Sequence, residues 1–355
     1  MKRGSMKFSE MVASPTGWLK VKGPKDNIVL STRVRIARNL KNRVYVDRSG
    51  EGEREEALKY AMSGIKKSGA LQDALYLFLK DLDDLDKSFL VERHLMSRDH
   101  LEDTSYKGVI VGGDETCSIM VNEEDHLRIQ VLLSGFDIMR AWEKVDEIEN
   151  KISKVLEFDY SPRFGYLTSC PTNTGTGLRA SCMLHLSALV MTGQIENVFD
   201  GISKLGMTIR GFYGEGTEAI GDFFQISNQV ALGHSEMDIL DNLERIIGKV
   251  IDREEETRRN MLSTKKGEIS DRVGRSMETL RTAKIITSSE TVKLLSTVRL
   301  GIDMGIVKDV SLAEANEMLL LSQPAHLQKS GGNKVLPYER DIKRADFIRH
   351  KLGAA

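Results

Sequence analysis

The chain has 355 residues, 40% of them hydrophobic and 29% charged, the balance of a soluble globular protein able to bury a sizeable core. A formal net charge of -1 excludes whole-chain attraction to nucleic acid or an anionic membrane, and no apolar run approaches the ~18 residues needed to cross a bilayer. Cys117, Cys170 and Cys182 show neither paired spacing nor metal-ligand spacing with the seven histidines, which implies a reducing, cytoplasmic setting and no protein metal site.

Met1–Ser5 ahead of Met6 reads as an expression scar, and no signal-peptide core follows it. Short β-like runs then recur: Asn27–Ser31, Phe89–Leu95, Val109–Val111 and Ser118–Val121. The last two flank Gly112-Gly113-Asp114-Glu115, a hairpin signal. Leu127–Leu133 follows the turn Asn122–Asp125 and completes an antiparallel meander. Met183, Leu186 and Val190 recur at helical spacing before Gly193, a candidate C-cap. Met207–Phe212 and Phe224–Leu232 read as a strand pair around an acidic, glycine-rich loop. Ile239, Leu243, Ile246, Val250 and Ile251 mark a long amphipathic helix.

From about residue 259 strand signals stop. Thr287 with Glu290 and Ser311 with Glu314 have capping-box spacing. Ile269, Val273, Met277 and Leu280 form one apolar stripe, and Pro337 opens a last helix running to about Leu352. The expectation is an α+β fold, an antiparallel sheet flanked by helices, with an all-helical C-terminal domain. Its divisions are 1–21, a catalytic domain over 22–258 and the helical domain over 259–355.

The run Cys170-Pro-Thr-Asn-Thr-Gly-Thr-Gly-Leu-Arg-Ala-Ser181 combines small, hydroxylated residues with an arginine. That suits a loop closing on a phosphate, although the same composition suits a plain turn. It lacks the Gly-Lys-Ser/Thr of a P-loop. Arg33 and Arg35 alternate on one strand face, Arg128 follows Glu124 by four residues, and Arg210 precedes the loop holding Glu215. Arginines beside apolar strand residues call for an anion. Two acidic turns, Glu123-Glu124-Asp125 and Glu215, could hold a cationic acceptor. Cations around the donor and carboxylates around the acceptor suit phosphoryl transfer to a guanidinium.

Three segments together, Ser31-Thr-Arg-Val-Arg35, Asn122-Glu-Glu-Asp-His-Leu-Arg128 and Cys170 to Ser181, resemble the phosphagen (guanidino) kinases over about residues 28–257. The first motif begins only 31 residues in, and Arg340-Asp-Ile-Lys-Arg-Ala345 lies in the helical tail. Both features are similar to the bacterial protein-arginine kinase branch, which lacks the large N-terminal helical domain of its metabolite-phosphorylating relatives.

The resemblance implies Mg·ATP as phosphoryl donor, with Glu124 and Glu215 as catalytic carboxylates. It implies nucleotide contacts from Ser31, Thr32, Arg33, Val34, Arg35, His94, Arg128, Arg179, Ala180, Ser181, Cys182 and Met183, and from Arg210, Gly211, Phe212, Tyr213 and Gly214. Magnesium would be held by phosphates and water, Cys170 would lie beside the substrate, and Arg340, Asp341 and Arg344 would form a phosphoarginine-binding allosteric site. Tyr213 stands where many metabolite kinases have an arginine. Implied partners are arginine-bearing protein substrates, an activator protein, a heat-shock repressor, a Clp ATPase/protease and a second copy of the chain. A kinase for free arginine and a non-catalytic phosphoarginine-binding module are the alternatives; a pure binder has no use for a proton acceptor.

Overall fold

A computed structural model describes residues 8–12, 16–20, 22–211, 219–331 and 336–353. Its centre is one eight-stranded antiparallel sheet: β1 (Val29–Arg38), β2 (Leu75–Phe78), β3 (Gly108–Val111), β4 (Cys117–Val121), β5 (Leu127–Ser134), β6 (Leu178–His185), β7 (Met207–Gly211) and β8 (Phe223–Asn228). The order across the sheet is β2-β3-β4-β5-β1-β6-β8-β7.

Period-2 alternation decides the layers. Val34, Ile36, Ile129, Val131, Ala180, Cys182, Leu184 and Ile226 point to one face and are buried. There they meet α1 (Glu51–Ser68), α3 (Ile138–Ile152), α5 (Ile195–Lys204) and α6 (Glu236–Thr264), which form the main core with them. The helix α2 (Asp84–Glu92) and the short α4 (Ser187–Met191) complete this half of the chain.

The helical region comprises α7 (Lys266–Thr282), α8 (Ser288–Asp303), α9 (Leu312–Leu321), α10 (Pro324–Gly331) and α11 (Pro337–Lys351). Its core joins Ile269, Val273, Met277 and Leu280 to Leu295, Val298, Met318 and Ile348. The same cluster takes in Leu132, Met183 and Phe223 from the sheet, so the helical region docks on the sheet face opposite the main core. Thr287 accepts the Glu290 N–H at the start of α8, and Ser311 and Glu314 form a full capping box on α9.

Two expectations fail. Phe89–Leu95 is not a strand: α2 runs to Glu92, started by Asp83, whose carboxylate accepts the Asp86 N–H at 2.6 Å. An N-cap and the packing of Phe89 and Leu90 outweigh the strand propensity of the segment. Met183 does not begin a helix; it lies on β6, whose alternating Leu178, Ala180, Cys182 and Leu184 face the core. Only Ser187–Met191 is helical there. The long helix α6 runs unbroken through residues 258 and 259 to Thr264.

Buried arginines tie the parts together. Arg344, 1% exposed, donates Nε to Ser322 O and Nη1 to Ile286 O, both at 2.9 Å, and pairs with Asp341. It thus clips α11 to the end of α9 and the start of α8. Glu92 crosses between the halves: its carboxylate accepts Ala325 N–H at 2.8 Å and His326 N–H at 3.0 Å, capping α10, while Lys329 pairs with Asp86. Replacing Arg344 by Ala leaves two carbonyls and a carboxylate without their cation; urea unfolding is expected to show a loss of about 3 kcal/mol or more.

Candidate active site

The register places the arginines. Across β5, β1 and β6, Arg128 lies opposite Ala37, Arg35 opposite both Gln130 and Arg179, and Arg33 opposite Leu132 and Ser181. On β8 and β7, Ser227 faces Ser181, and Gln225 is opposite Met183 and Arg210. Opposed residues in an antiparallel pair share a face. Arg33, Arg35, Arg128, Arg179 and Arg210 therefore all stand on the face away from the main core. They line a cleft of about 870 Å³ together with Glu124, Cys170 and His94.

Like charge is concentrated there. Burial, with Arg179 and Arg128 nearby, pushes the Arg33 guanidinium down to about 10. Arg35 is driven well below its ordinary value by burial and by Arg128, Arg33 and Arg179. Arg179 is lowered by burial and by Arg210 and Arg128, against opposing pulls from Cys170 and Glu124. Arg33 donates to Gln225 Oε1 at 3.2 Å and Arg179 to Ser227 Oγ at 3.1 Å, acceptors that bring no negative charge of their own. Such a floor suits a polyanion.

One end of the cleft is acidic. Arg128 donates to Glu123 and to Glu124, each at 2.7 Å. Glu123 is buried; although burial opposes it, Arg128, the Ser97 hydroxyl and the Glu124 N–H hold its carboxyl below the usual range. Glu124 is the outer partner, its side chain 41% exposed to the cleft. The turn is pinned beneath. Asn122, at φ +59°, donates to Arg54 O and Tyr106 O at 2.8 and 2.9 Å. Asp125, fully buried, accepts from Asn39 Nδ2 and from Ser169 N–H, both at 2.7 Å. That second bond fixes the segment entering Cys170 against the Glu124 turn. Asn39 and Ser97 are supports that the motifs do not include, and Asp125, expected within an acceptor-holding acidic turn, is a buried support as well.

The two glycines of the Cys170–Ser181 run are required by the chain's own packing, and Gly177 also lines the cleft. A Cβ on Gly177, at φ +65°, would meet Ala37 O at 2.6 Å, and one on Gly175, at φ +112°, would meet Ala231 O at 2.8 Å. Arg179 itself sits on a strand, not at a helix start. Cys170 lies at the cleft with its Sγ 3.0 Å from Thr172 Oγ1.

His94 sits at φ +61° on the cleft wall, and burial followed by Arg33 drives its imidazole down to about 3, so the ring is neutral at physiological pH. Ser31, Ser181 and Met183 line a recess continuous with the cleft at His94, Arg33 and Gln225. Thr32, Val34, Ala180 and Cys182 turn their side chains to the opposite face; Thr32 Oγ1 donates to Gly135 O at 2.6 Å and lies 3.6 Å from Cys182 Sγ. Gly211 ends β7, while Phe212, Tyr213, Gly214 and Glu215 lie outside the described residues. Arg340, Asp341 and Arg344 are on α11 and are not among the residues that line this cleft, and Arg344 is engaged as described above. Among the described residues no His, Cys, Asp and Glu cluster could hold a metal, and no helix is long and apolar enough to cross a membrane.

Comparison with known proteins bears on the same residues. Residues 55–257 match the family model of the ATP:guanido phosphotransferase C-terminal catalytic domain, and residues 266–355 match the protein-arginine kinase McsB C-terminal domain. The protein-arginine kinase of Halothermothrix orenii is 45% identical over 95% of this chain and 96% of its own length. That of Bacillus subtilis is 41% identical over 95% of this chain and 93% of its own. The chain belongs to the protein-arginine kinases, within the ATP:guanido phosphotransferase family. The crystal structure of lombricine kinase superposes with a TM-score of 0.58 at 27% identity, over 68% of this chain and 71% of that one. A duplicated taurocyamine kinase from Schistosoma mansoni, 22% identical with a TM-score of 0.58 over 70% of this chain and 38% of that one, shares the fold.

Members of this family use ATP with magnesium, and the guanidinium-lined floor with one acidic end fits a nucleotide triphosphate. Mutual repulsion of the arginines gives a sharp expectation. Arg35→Met relieves a desolvated charge, so thermal or urea unfolding without nucleotide is expected to show stabilisation by about 1–2 kcal/mol. Calorimetric titration of the same variant should show ATP affinity falling by about tenfold or more.

Proposed function

We propose that this chain transfers the γ-phosphoryl group of Mg·ATP to arginine side chains of proteins. The observation that carries the reading is the pairing of five arginines on one sheet face with Glu124 at the end of their row. The names of its relatives, protein-arginine kinases matched over nearly their whole length, support an arginine in a protein as acceptor.

Arg33, Arg35, Arg179 and Arg210 bind the phosphates and absorb the charge that gathers on the transferring oxygens. Magnesium would be held by the phosphates and water and would supply further charge neutralisation there. Glu124 faces the acceptor. A free guanidinium has a pKa near ~13.8 and is a poor nucleophile while protonated. Glu124 orients it and takes the proton as the N–P bond forms and the bond to the ADP oxygen breaks. Arg128, shared by Glu123 and Glu124, keeps that carboxylate aimed at the cleft. Glu215 is proposed as the second carboxylate, gripping the other edge of the planar acceptor.

Arg340, Asp341 and Arg344 are proposed as a phosphoarginine-sensing site, which requires Asp341 to exchange Arg344 for the ligand's guanidinium. A role in marking proteins for a Clp ATPase/protease, a heat-shock repressor as substrate, an activator protein and a homodimer rest on the motif resemblance, and a cytoplasmic site of action on the unpaired cysteine pattern.

The decisive assay incubates the full chain with ATP and a basic protein, and separately with free arginine. Acid-labile phosphate is expected on the protein's arginines. Phosphate on free arginine alone would make the chain a metabolite kinase. Glu124→Gln is expected to lower kcat by about 10²–10⁴ while ATP binding persists, since general-base assistance is worth that much. Arg340→Ala is expected to keep basal transfer and to lose any stimulation by a phosphoarginine peptide.

A further inference from the structure

The cleft has two different ends. Strand register orders its floor from Arg128 through Arg35 with Arg179, then Arg33 with Ser181, to Met183 with Gln225. At ~3.3 Å per residue that is roughly 20 Å of sheet. The Arg128 end carries Glu124. At the other end Met183 and the uncharged ring of His94 meet Arg33 and Gln225, with Arg210 opposite Gln225 on β7. With its γ-phosphoryl group beside Glu124, a nucleoside triphosphate laid on this floor has its base toward Met183.

The wall at that end is not made by the catalytic domain. Ser288, Ser289 and Val292 of α8 line the cleft there, with Gln323 and Pro324 from the turn between α9 and α10. Gly221 shows how tightly α8 is seated. It has φ +72°, and a Cβ on it would meet Val292 Cγ1 at 2.8 Å and Val292 O at 2.9 Å. Gln323, 6% exposed, is fixed in orientation: its Nε2 donates to Leu319 O at 2.9 Å and its Oε1 accepts from Ser288 at 3.4 Å. Ser296, one helical repeat further along α8, lies 2.8 Å from the buried His185 ring at the end of β6. The helical region is therefore locked to the very strand that carries Arg179, Ser181 and Met183.

We infer that the helical region supplies a nucleobase subsite: Ser288, Ser289, Val292 and Gln323 close the base end of the cleft, opposite Met183 and His94. The ligand class is the uncharged base and ribose of a nucleotide, and the inference rests on the ATP-dependent reading above. Val292 and the Gln323 stem offer apolar contact to a ring face, and the serine hydroxyls and glutamine amide offer hydrogen bonds to its edge. Base binding in this chain then belongs to two domains, and only the phosphate floor belongs to the sheet alone.

The test compares ATP with inorganic tripolyphosphate, which has the charges and no base. Both are titrated calorimetrically, with magnesium and without acceptor, into the full-length protein. The wild type is expected to bind ATP more tightly than tripolyphosphate. Ser289→Trp, at an exposed position, fills the base end. It should weaken ATP by about tenfold while tripolyphosphate stays within about twofold. An unchanged ratio between the two ligands overturns the inference, as does a wild type that binds both equally. Should the indole disturb tripolyphosphate as well, Ser289→Leu decides on the same ratio. A wild type that binds ATP but modifies no arginine would sink the proposed function and leave this subsite standing.

Discussion

Mutual repulsion among five guanidinium groups on one sheet face is the constraint around which the molecule is arranged. Such charge cannot be desolvated without compensation, and among the described residues the fold supplies compensating carboxylates at the margins. Glu123 and Glu124 neutralise Arg128 at one end. Gln225 and Ser227 offer neutral acceptors in the middle. The opposite face is mainly apolar and carries the main core, so a one-residue slip would turn these arginines into that core. The free energy held in this arrangement is released when a polyanion arrives, so the protein gains stability from the ligand it works on.

The fold was legible where local signals agreed with packing. The β3–β4–β5 meander follows from its turn residues, and α6, α8 and α9 follow from apolar spacing and capping side chains. It was illegible where two periods overlapped. Met183, Leu186 and Val190 fit a helix, but Leu178, Ala180, Cys182 and Leu184 fit a strand, and pairing on both sides of β6 settled the matter. Pairing partners are long-range facts that no window of sequence contains. Phe89–Leu95 failed for the reverse reason, since Asp83 outweighed the β-branched and aromatic composition downstream.

The site was legible as a set of residue types and not as a geometry. Arg33 and Arg35 could be placed on one face from alternation alone. That Arg35 lies opposite Arg179 required the register. Nor could sequence tell an arginine that lines the cleft from a structural one. Arg38, three residues from Arg35, is a buried clamp that donates to Glu149 at 2.6 Å and stacks 3.5 Å over Tyr166. Arg258, Arg299 and Arg344 are likewise engaged with carboxylates, a side-chain amide or main-chain carbonyls. The chain uses one side chain for two tasks, and the difference lies in whether a carboxylate or carbonyl from a distant segment reaches it.

The Glu92 cap on α10 has a consequence for the order in which the molecule is made. The two main-chain donors it satisfies lie 233 and 234 positions later. During synthesis the sheet and α2 emerge long before α10, and His94, two residues beyond Glu92, borders the cleft throughout. Until the last helices arrive, α10 has no start and the His94 wall has nothing to brace it. A nascent chain therefore holds its arginine floor early but completes its cleft only once α10 has been made, just ahead of the region bearing Arg340 and Arg344. Catalytic competence and the segment proposed to sense the product come into being together.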